Sequence, residues 1–336
     1  MSDVKLKSIA IWFVPIFLIG LGILPFTSGD VAVRVIYLVL ATLSWRFMAA
    51  RLGVFSFGHV GFVVLGAYAS ALFMTKLDFG FFTSTVLTLI LVGVTGLFMG
   101  LVSMKIRGVF FVMLTYGFLQ LVVDLANGTP SLTGGGFGMS VPQMFPGLGP
   151  DQWKNYFILG IGLMVLWFVG EYFTSHSNIG INLSAIRDDE DEARVLGMNT
   201  LLWKASTSAY VAMWGGLAGA FYGNFVGYIT PFMGQDVVQG MIIAFAVIGG
   251  LHSLTGVAIS TVCLVMLHSQ LQATAQAYSE VAIGIAALVA VVVFPTGVAG
   301  MLRSARAKLG VPRRGSSGDG DESEASGARV QETVGS

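Results

Sequence analysis

Long apolar segments constrain this chain more than any other feature. Only 11% of its 336 residues are charged, whereas about 25% is usual for a soluble domain. A helix that spans a bilayer needs roughly 20 apolar residues, and runs near that length follow one another along most of the sequence. The sequence therefore predicts an all-α polytopic membrane protein with about eight to ten transmembrane helices. The predicted spans are 9–25, 31–50, 53–74, 82–104, 109–127, 155–173, 205–228, 237–250, 257–272 and 281–302.

Three of these segments, 53–74, 237–250 and 257–272, are short or interrupted by glycine, which favours re-entrant or half-helical structures. The regions 53–68 and 247–260 each carry Ser and His close to Gly inside apolar sequence. Broken segments in corresponding positions of two halves are compatible with an inverted repeat and indicate a substrate path, because unwound backbone offers N–H and C=O groups there. Tight helix packing through small residues explains the same glycines, and both interpretations remain open at this point.

The distribution of basic residues predicts the orientation of the chain. If the N-terminus is cytoplasmic and all ten segments cross, fifteen of the eighteen Lys and Arg residues lie on the cytoplasmic side, as the positive-inside rule requires. Both termini are then cytoplasmic. The transmembrane domain is predicted to cover 1–302, with an outer loop at 128–154 and an inner loop at 174–204. Residues 303–336 start basic, beside anionic lipid headgroups, and are predicted to form a disordered cytoplasmic tail.

Several function classes lack support in the sequence. Zero net charge gives no electrostatic basis for binding nucleic acid. The four histidines have no metal-ligand spacing, and no P-loop, hydrolase or protease motif is present. We therefore predict neither an enzyme nor a cofactor or metal site. Cys263, the single cysteine, is interpreted as a small buried apolar residue.

Ionisable residues at membrane depth are candidate functional groups, and this chain offers few of them. Asp124 and Glu171 lie near the ends of predicted spans, and Asp236 and Glu280 lie where others start. We interpret all four as interfacial, with Asp236 and Glu280 favouring their helix N-termini. The lack of a firm acid in mid-membrane argues against an ion-coupled carrier and agrees with a permease that is driven from elsewhere.

The inner loop predicts a short cytoplasmic helix. Ser184 is the expected N-cap, the acidic run Asp188–Glu192 suits the positive end of a helix dipole, and Gly197 is expected to end the helix. Apolar residues recur at near-helical spacing between the charges. Two interpretations remain open, a solvated connecting helix and a helix that docks onto a cytoplasmic partner.

Four sequence blocks occur in one order along the chain. They are "GVFSFGHVGFVVLGAYAS" at 53–70, "SLTGGGFGM" at 131–139, "AIRDDEDEARVLGMN" at 185–199 and "VIGGLHSLTGVAIS" at 247–260. Together they resemble the permease subunits of branched-chain amino-acid ABC importers (LivM/LivH type), and the A-I-R-D-D-E block is more typical of the LivM side. The likeness covers roughly residues 30–300.

The resemblance implies partners and site residues. The chain would lie in the cell inner membrane and dock through its inner loop onto ATP-binding subunits, which supply the energy. It would form a heterodimer with a second homologous permease and receive substrate from a periplasmic or lipid-anchored substrate-binding protein. The implied coupling residues are Ile186, Arg187, Asp188, Asp189, Glu190, Glu192, Ala193, Leu196 and Gly197. The implied substrate-path residues are Ser56, Gly58, His59, Tyr68, Thr133, Gly134, Gly135 and Gly136.

The resemblance also implies the cargo, which is leucine, isoleucine or valine. Close relatives that import urea, short amides or other amino acids provide an alternative, and a stand-alone secondary carrier or channel is a less favoured one. His252 and Val257 stand where the family usually has glycine and proline, so the local backbone of that region is left open.

Overall fold

The computed structural model describes residues 28–102, 106, 108–145, 151–274, 281, 284 and 285. The predicted span 9–25 and the tail 303–336 lie outside these residues, as does nearly all of the predicted span 281–302. All eight predicted spans between residues 31 and 272 correspond to helices.

Helices account for most of the described structure. The long helices are α1 (Gly29–Leu52), α2 (His59–Lys76), α3 (Phe81–Val102), α4 (Val109–Gly128), α6 (Gln152–Ser175), α9 (Thr200–Val226) and α11 (Leu254–Thr274). The short helices are α5 (Pro130–Thr133), α7 (Asn178–Asp188), α8 (Glu190–Val195) and α10 (Asp236–Gly249). In the described part of the chain, six helices are long and apolar enough to cross a membrane, namely all the long ones except α9. The predicted fold class, an all-α polytopic membrane protein, is confirmed.

Small residues place α9 at the centre of the bundle, against α1, α2 and α3. A Cβ on Gly219 would overlap the carbonyl oxygen of Val63 on α2, and one on Gly66 would overlap the backbone of Gly216. Backbones come this close only where side chains are absent, as is common between membrane helices. Close packing therefore explains Gly66 within the predicted signature.

The three short or glycine-interrupted spans can be compared with the observed helices. The segment predicted at 53–74 becomes helical only at His59, because residues 53–58 are not helical. The segment predicted at 237–250 is indeed a half-length helix, α10, whereas the one predicted at 257–272 is a full helix, α11. Cys263 is exposed on α11, so its interpretation as a buried residue is wrong.

A small antiparallel strand pair and two 3-10 turns link the ends of the helices on the side opposite the inner loop. β1 (Met139–Ser140) pairs with β2 (Tyr228–Ile229). The turns are Gly135–Phe137 and Pro231–Gly234, and the second leads directly into α10. Residues 228–235 thus connect α9 to α10 without a full helix.

Candidate functional site

Two helices, α2 and α10, begin inside the bundle and not at its ends. After α1 ends at Leu52 the chain turns back, and the Trp45 indole N–H donates to the Ser56 carbonyl at 2.6 Å. His59, the first residue of α2, is hydrogen-bonded to Ser44 Oγ at 2.8 Å. Ser44 precedes the end of α1 by about two helical turns, so α2 starts roughly 11 Å inward from that end.

The first turns of α2 and α10 meet at Gln239. Its Oε1 accepts a hydrogen bond from the Val60 N–H at 2.9 Å, and its amide nitrogen lies 3.5 Å from the Ser56 carbonyl. Val60 belongs to the first helical turn, where N–H groups have no intrahelical acceptor. Gln239 is buried and therefore satisfies a donor that would otherwise be unpaired in the interior.

Helix α4 forms the third wall of this contact. The Phe57 N–H donates to Thr115 Oγ1 at 3.0 Å. A Cβ on Gly58 would overlap the Thr115 carbonyl oxygen, so only glycine allows this approach. We call the following residues the helix junction: Ser56, Gly58, Val60, Thr115 and Gln239.

Replacing Gln239 with leucine is expected to lower the free energy of unfolding by about 1–3 kcal/mol, because the buried Val60 N–H loses its acceptor. Unfolding in SDS mixed micelles, followed by circular dichroism, measures the change. Gln270→Leu is the matched control, since Gln270 is exposed on α11 and its replacement should change stability by less than about 0.5 kcal/mol. Equal stability of the two variants would contradict the bridging role of Gln239.

The structure brings three predicted path residues together at the helix junction. Ser56 Oγ accepts from the Gly58 N–H at 3.2 Å, and His59 is 1% exposed. Tyr68 lies more than two turns further along α2 and is also buried. Its hydroxyl has no hydrogen-bond partner among the described residues. These side chains pack between helices, and their role in a substrate path stays a prediction.

The other predicted path residues form a tight turn beyond the end of α4. Thr133 Oγ1 donates to the Ala126 carbonyl at 2.6 Å and accepts from the Gly135 N–H at 3.2 Å. Gly134 and Gly135 have positive φ angles, which glycine adopts readily. Gly136 is exposed. The turn leads into β1, which pairs with β2. The turn therefore supports the strand pair that precedes the start of α10.

A cleft of about 480 Å³ opens between the inner loop and the ends of α1 and α4. Met48 and Phe111 contribute to its apolar lining, and Arg187 and Lys204 to its charged lining. A narrow void bordered by part of the helix junction shares Met48, Phe111 and Ser208 with this cleft. The helix junction therefore lies at the closed end of a cleft that begins at the inner loop.

The inner loop folds into two short helices, α7 and α8, and not into the single helix predicted to begin at Ser184. Ser184 lies within α7, where its hydroxyl donates to the Gly180 carbonyl at 2.9 Å. The break falls at Asp189, whose backbone is extended. Asp189 Oδ1 accepts from the N–H groups of Asp191 and Glu192 at 2.8 and 2.9 Å. The predicted N-cap is wrong, because this aspartate caps α8 with two hydrogen bonds.

Most of the acidic run is paired within the chain. Arg187 donates to the Asp188 carboxylate, and its Nη1 donates to the Ala50 carbonyl of α1 at 3.1 Å. Glu190 Oε2 lies 2.5 Å from Lys204 Nζ at the start of α9. These contacts fasten the inner-loop helices α7 and α8 to α1 and α9.

The end of α8 presents an apolar surface. Val195 and Leu196 are 88% and 80% exposed, and we call these two residues the apolar tip. Gly197, at φ +86°, ends α8 with both hydrogen bonds of a Schellman motif, which confirms the predicted stop. Ile186 and Ala193 are buried. Of the predicted coupling residues, Leu196 is thus the apolar one that faces outward; Val195, which was not among them, is exposed beside it.

Asp236 lies deeper than its interpretation as an interfacial residue implies. Tyr116 Oη donates to one of its carboxylate oxygens and Gln120 Nε2 to the other, each at 3.2 Å. Gln120 is close to the middle of α4, so the interpretation of Asp236 as interfacial is wrong, whereas its predicted place at a helix N-terminus is confirmed, since Asp236 is the first residue of α10. The spacing of Tyr116, Gln120 and Asp124, four residues apart, marks one face of a helix and is the sequence signal that was overlooked.

Glu171 lies near the inner-loop end of α6 and is 0% exposed, so its charge is buried within the bundle, and its interfacial depth stays a prediction. Its Oε1 lies 2.5 Å from Arg46 Nη1 and 4.0 Å from Arg51 Nη2. Arg51 also donates to Ser175 at the end of α6. The pair joins α1 to α6 just above the inner loop. Glu280, the fourth acid, lies outside the described residues.

The histidines of the described ranges do not form a metal site. His59 is bonded to Ser44, and His176 Nδ1 lies 2.9 Å from the Tyr172 carbonyl oxygen. No group of three or more His, Cys, Asp or Glu side chains in the described ranges is placed to bind a metal ion.

The chain is similar in sequence to known transport proteins. The chain is 25% identical over 265 residues to the high-affinity branched-chain amino acid transport system permease protein LivM of Salmonella typhimurium, and 24% identical over 263 residues to that of Escherichia coli. These matches cover 71% and 70% of this chain and 62% of each relative. It is 29% identical over 181 residues to the permease protein LivH of Escherichia coli, covering 51% of this chain and 58% of LivH. No solved structure matches the chain.

The chain spans about three fifths of the length of these relatives. A family model described as the permease component of the branched-chain amino acid transport system matches residues 28–294. That range contains the helix junction, the cleft and the inner-loop helices. The match covers most of the 336 residues. The chain is therefore a multi-pass membrane protein that belongs to the branched-chain amino acid transport permease family.

Proposed function

We propose that this chain is an inner-membrane permease subunit of an ABC importer for leucine, isoleucine or valine, driven by ATP that partner subunits hydrolyse. The observation that carries the proposal is the apolar tip. Two large apolar side chains stand almost fully exposed at the end of a helix that is capped at both ends. Exposed apolar residues on a rigid support are suited to a groove in a partner protein. The relatives, named for branched-chain amino acid transport, support the cargo.

The coupling residues divide into two roles in this proposal. Leu196, with Val195, contacts the ATP-binding subunit. Asp189 and Gly197 hold α8 in position through its caps, and the paired residues Arg187, Asp188 and Glu190 fix both inner-loop helices to the bundle. Ile186 and Ala193 anchor them from the buried side, and Glu192 lies on the exposed side beside the tip. In this proposal a movement of the apolar tip is transmitted through these contacts to α1, whose C-terminal end lines the cleft.

The substrate path runs past the helix junction to the cleft in this proposal. Ser56 and Gly58 lie where the substrate path is closed, and His59 and Tyr68 pack beside them on α2. The turn from Thr133 to Gly136 braces the outer end, where a periplasmic or lipid-anchored substrate-binding protein docks. The exposed apolar faces of α3 and α4 face lipid and the second permease of a heterodimer. Both termini are cytoplasmic.

Uptake by reconstituted vesicles tests the function. The complete importer, with its ATP-binding subunits, second permease and binding protein, is placed in liposomes with ATP inside the cytoplasmic compartment. Uptake of labelled leucine, isoleucine and valine is expected only with hydrolysable ATP. Urea and short amides are expected to enter at least about 10-fold more slowly, because a pathway that contacts the charged groups of an amino acid rejects cargo that lacks them.

Uptake driven by an ion gradient distinguishes the importer from a second candidate function. Asp236 beside the middle of α4 is the feature that favours a second candidate, a carrier coupled to an ion gradient. Leucine uptake by this chain alone, driven by a proton or sodium gradient without ATP, would establish that candidate and reject the importer. Fast ATP-dependent uptake of urea with slow uptake of leucine would retain the importer and replace its cargo.

A further inference from the structure

A polar cluster stands on the outward face of α4. It consists of Tyr116, Gln120 and Asp236, and it borders a cavity of about 270 Å³. Asp236 and Tyr116 are exposed, and Gln120 Nε2 also lies 3.0 Å from the Tyr116 hydroxyl. The three side chains thus form one connected hydrogen-bonded group that opens outward.

The depth of the polar cluster is incompatible with lipid around it. Gln120 lies roughly 16 Å along α4 from Val109, at 1.5 Å per residue, in a helix about 30 Å long. The Val109 end borders the cleft beside the inner loop, so Gln120 is near the middle of the membrane. An exposed carboxylate in hydrocarbon is strongly unfavourable, and such groups face a water-filled cavity or protein.

The Asp236 carboxylate is oriented, and no basic residue pairs with it among the residues that the structure describes. Both of its oxygens accept hydrogen bonds from α4, so it is turned toward α4 and not only toward the N-terminus of its own helix. Within the described ranges, every ion pair involves other acids. A fixed negative charge that has no counter-ion in the described part of the chain, beside a cavity, is suited to a cationic group of a ligand.

The cavity has the shape and lining for a small ligand with an apolar part. Its volume is near the lower end of the usual range for ligand pockets, about 300–1,000 Å³. Val123, Pro231 and Phe232 contribute its apolar lining, and Asp236 and Gln120 its polar lining. A ligand with a charged end and an aliphatic end therefore finds both kinds of surface in one cavity.

We propose that Asp236 binds the α-ammonium group of the amino acid during its passage, with Tyr116 and Gln120 orienting the carboxylate. Phe232 and Val123 contact the aliphatic side chain. Tyr116 and Gln120 thereby lie beside the substrate path above the helix junction. Because urea and neutral amides carry no ammonium group, Asp236 selects amino acids. This inference rests on the proposed function and names the residue that recognises the cargo.

The test compares Asp236→Asn with Asp236→Glu in the complete importer at saturating loaded binding protein. Asparagine keeps the size and loses the charge, so leucine uptake should fall at least about 10-fold, as expected for a lost charge-assisted hydrogen bond. Glutamate keeps the charge and should retain at least about a third of the uptake. The amount of assembled complex in the liposomes is compared for all variants, so that a loss of uptake is not a loss of protein. Equal uptake by D236N and wild type, or equal loss in D236N and D236E, would overturn the proposal.

Asp124→Asn is the matched control. Asp124 is exposed one turn further along α4 and is not among the residues that line the cavity, so this variant should transport normally. A loss equal to that of D236N would mean that the charge of the whole face matters, against a specific ammonium site.

Tyr116→Phe covers the case in which D236N does not assemble. It removes one donor to Asp236 and should lower uptake about threefold to tenfold, in proportion to one hydrogen bond. Normal uptake by Y116F, or failure of both variants to assemble with the second permease, would overturn the proposal and place the cluster in a subunit contact. Wild-type importer without ATP-dependent amino-acid uptake would instead reject the proposed function.

Discussion

Glu171→Ala is expected to lower the free energy of unfolding by about 3–5 kcal/mol, the largest stability change that we predict for a single side chain. Glu171 is fully buried, and the Arg46 guanidinium that it pairs with is 4% exposed. Removing the carboxylate leaves the arginine charge in the interior without a counter-ion, which is far worse than never having buried the pair. Unfolding in SDS mixed micelles, followed by circular dichroism, measures the effect.

The position of the pair adds to this effect. Arg46 Nε donates to the Leu251 carbonyl at 2.8 Å, in the turn between α10 and α11. Arg51 lies near the same carboxylate and contacts Ser175. The charges therefore connect three parts of the bundle, and a free guanidinium would disturb all of them.

Two further variants control this experiment. Glu192→Ala removes an exposed carboxylate of α8 and should change stability by less than about 0.5 kcal/mol. The double variant Arg46→Met/Glu171→Leu removes both charges and should regain most of the loss, because apolar residues of similar volume replace a buried pair at little cost. Stability of E171A within about 1 kcal/mol of wild type would show that Arg46 finds another partner or water.

Leu196→Glu is expected to reduce ATP-dependent leucine uptake at least about 30-fold, which corresponds to the loss of an interface residue worth 2 kcal/mol or more. A carboxylate at the apolar tip would have to enter the apolar groove that we propose on the ATP-binding subunit. Stimulated ATP hydrolysis by the complex should fall in parallel. The amount of chain in the membrane should not change, because Leu196 is 80% exposed and makes little contact with the rest of the chain.

Leu77→Glu provides the matched control for the apolar tip. Leu77 is a 53% exposed leucine that follows the end of α2, at the far side of the bundle from the inner loop. L77E should transport within about twofold of wild type, because such exposed sites tolerate substitution. Normal uptake by L196E, or an equal loss in L77E, would contradict docking through the apolar tip.

Apolar runs predicted the helices well, including the half-length helix α10, but they placed the start of α2 six residues too early. Residues 53–58 are as apolar as the helix that follows, so composition does not separate them. The chain leaves the helix at Gly53, which has positive φ, and Ser56 is then fixed by Trp45 from α1. Contacts of this kind, between residues of different segments, leave no mark on a local hydropathy pattern.

The inner loop shows the same limit at the scale of single residues. Ser184 and Asp189 are both good N-cap residues, and the choice between them depends on where α7 begins. Once the break falls at Asp189, α8 turns Val195 and Leu196 outward. The sequence predicted the charged loop and the stop at Gly197, whereas the outward exposure of Val195 beside Leu196 became visible only with the direction of α8.

The contact between Gln239 and Val60 has a consequence for biogenesis. The two residues are 179 positions apart, so during synthesis α2 enters the membrane long before its acceptor exists. Helix α10 has only 14 residues, fewer than the roughly 20 that insert as an independent span. The start of α2 and the whole of α10 therefore reach their final positions together, after translation of the C-terminal half. We therefore expect the centre of this bundle to close at a late step of its maturation.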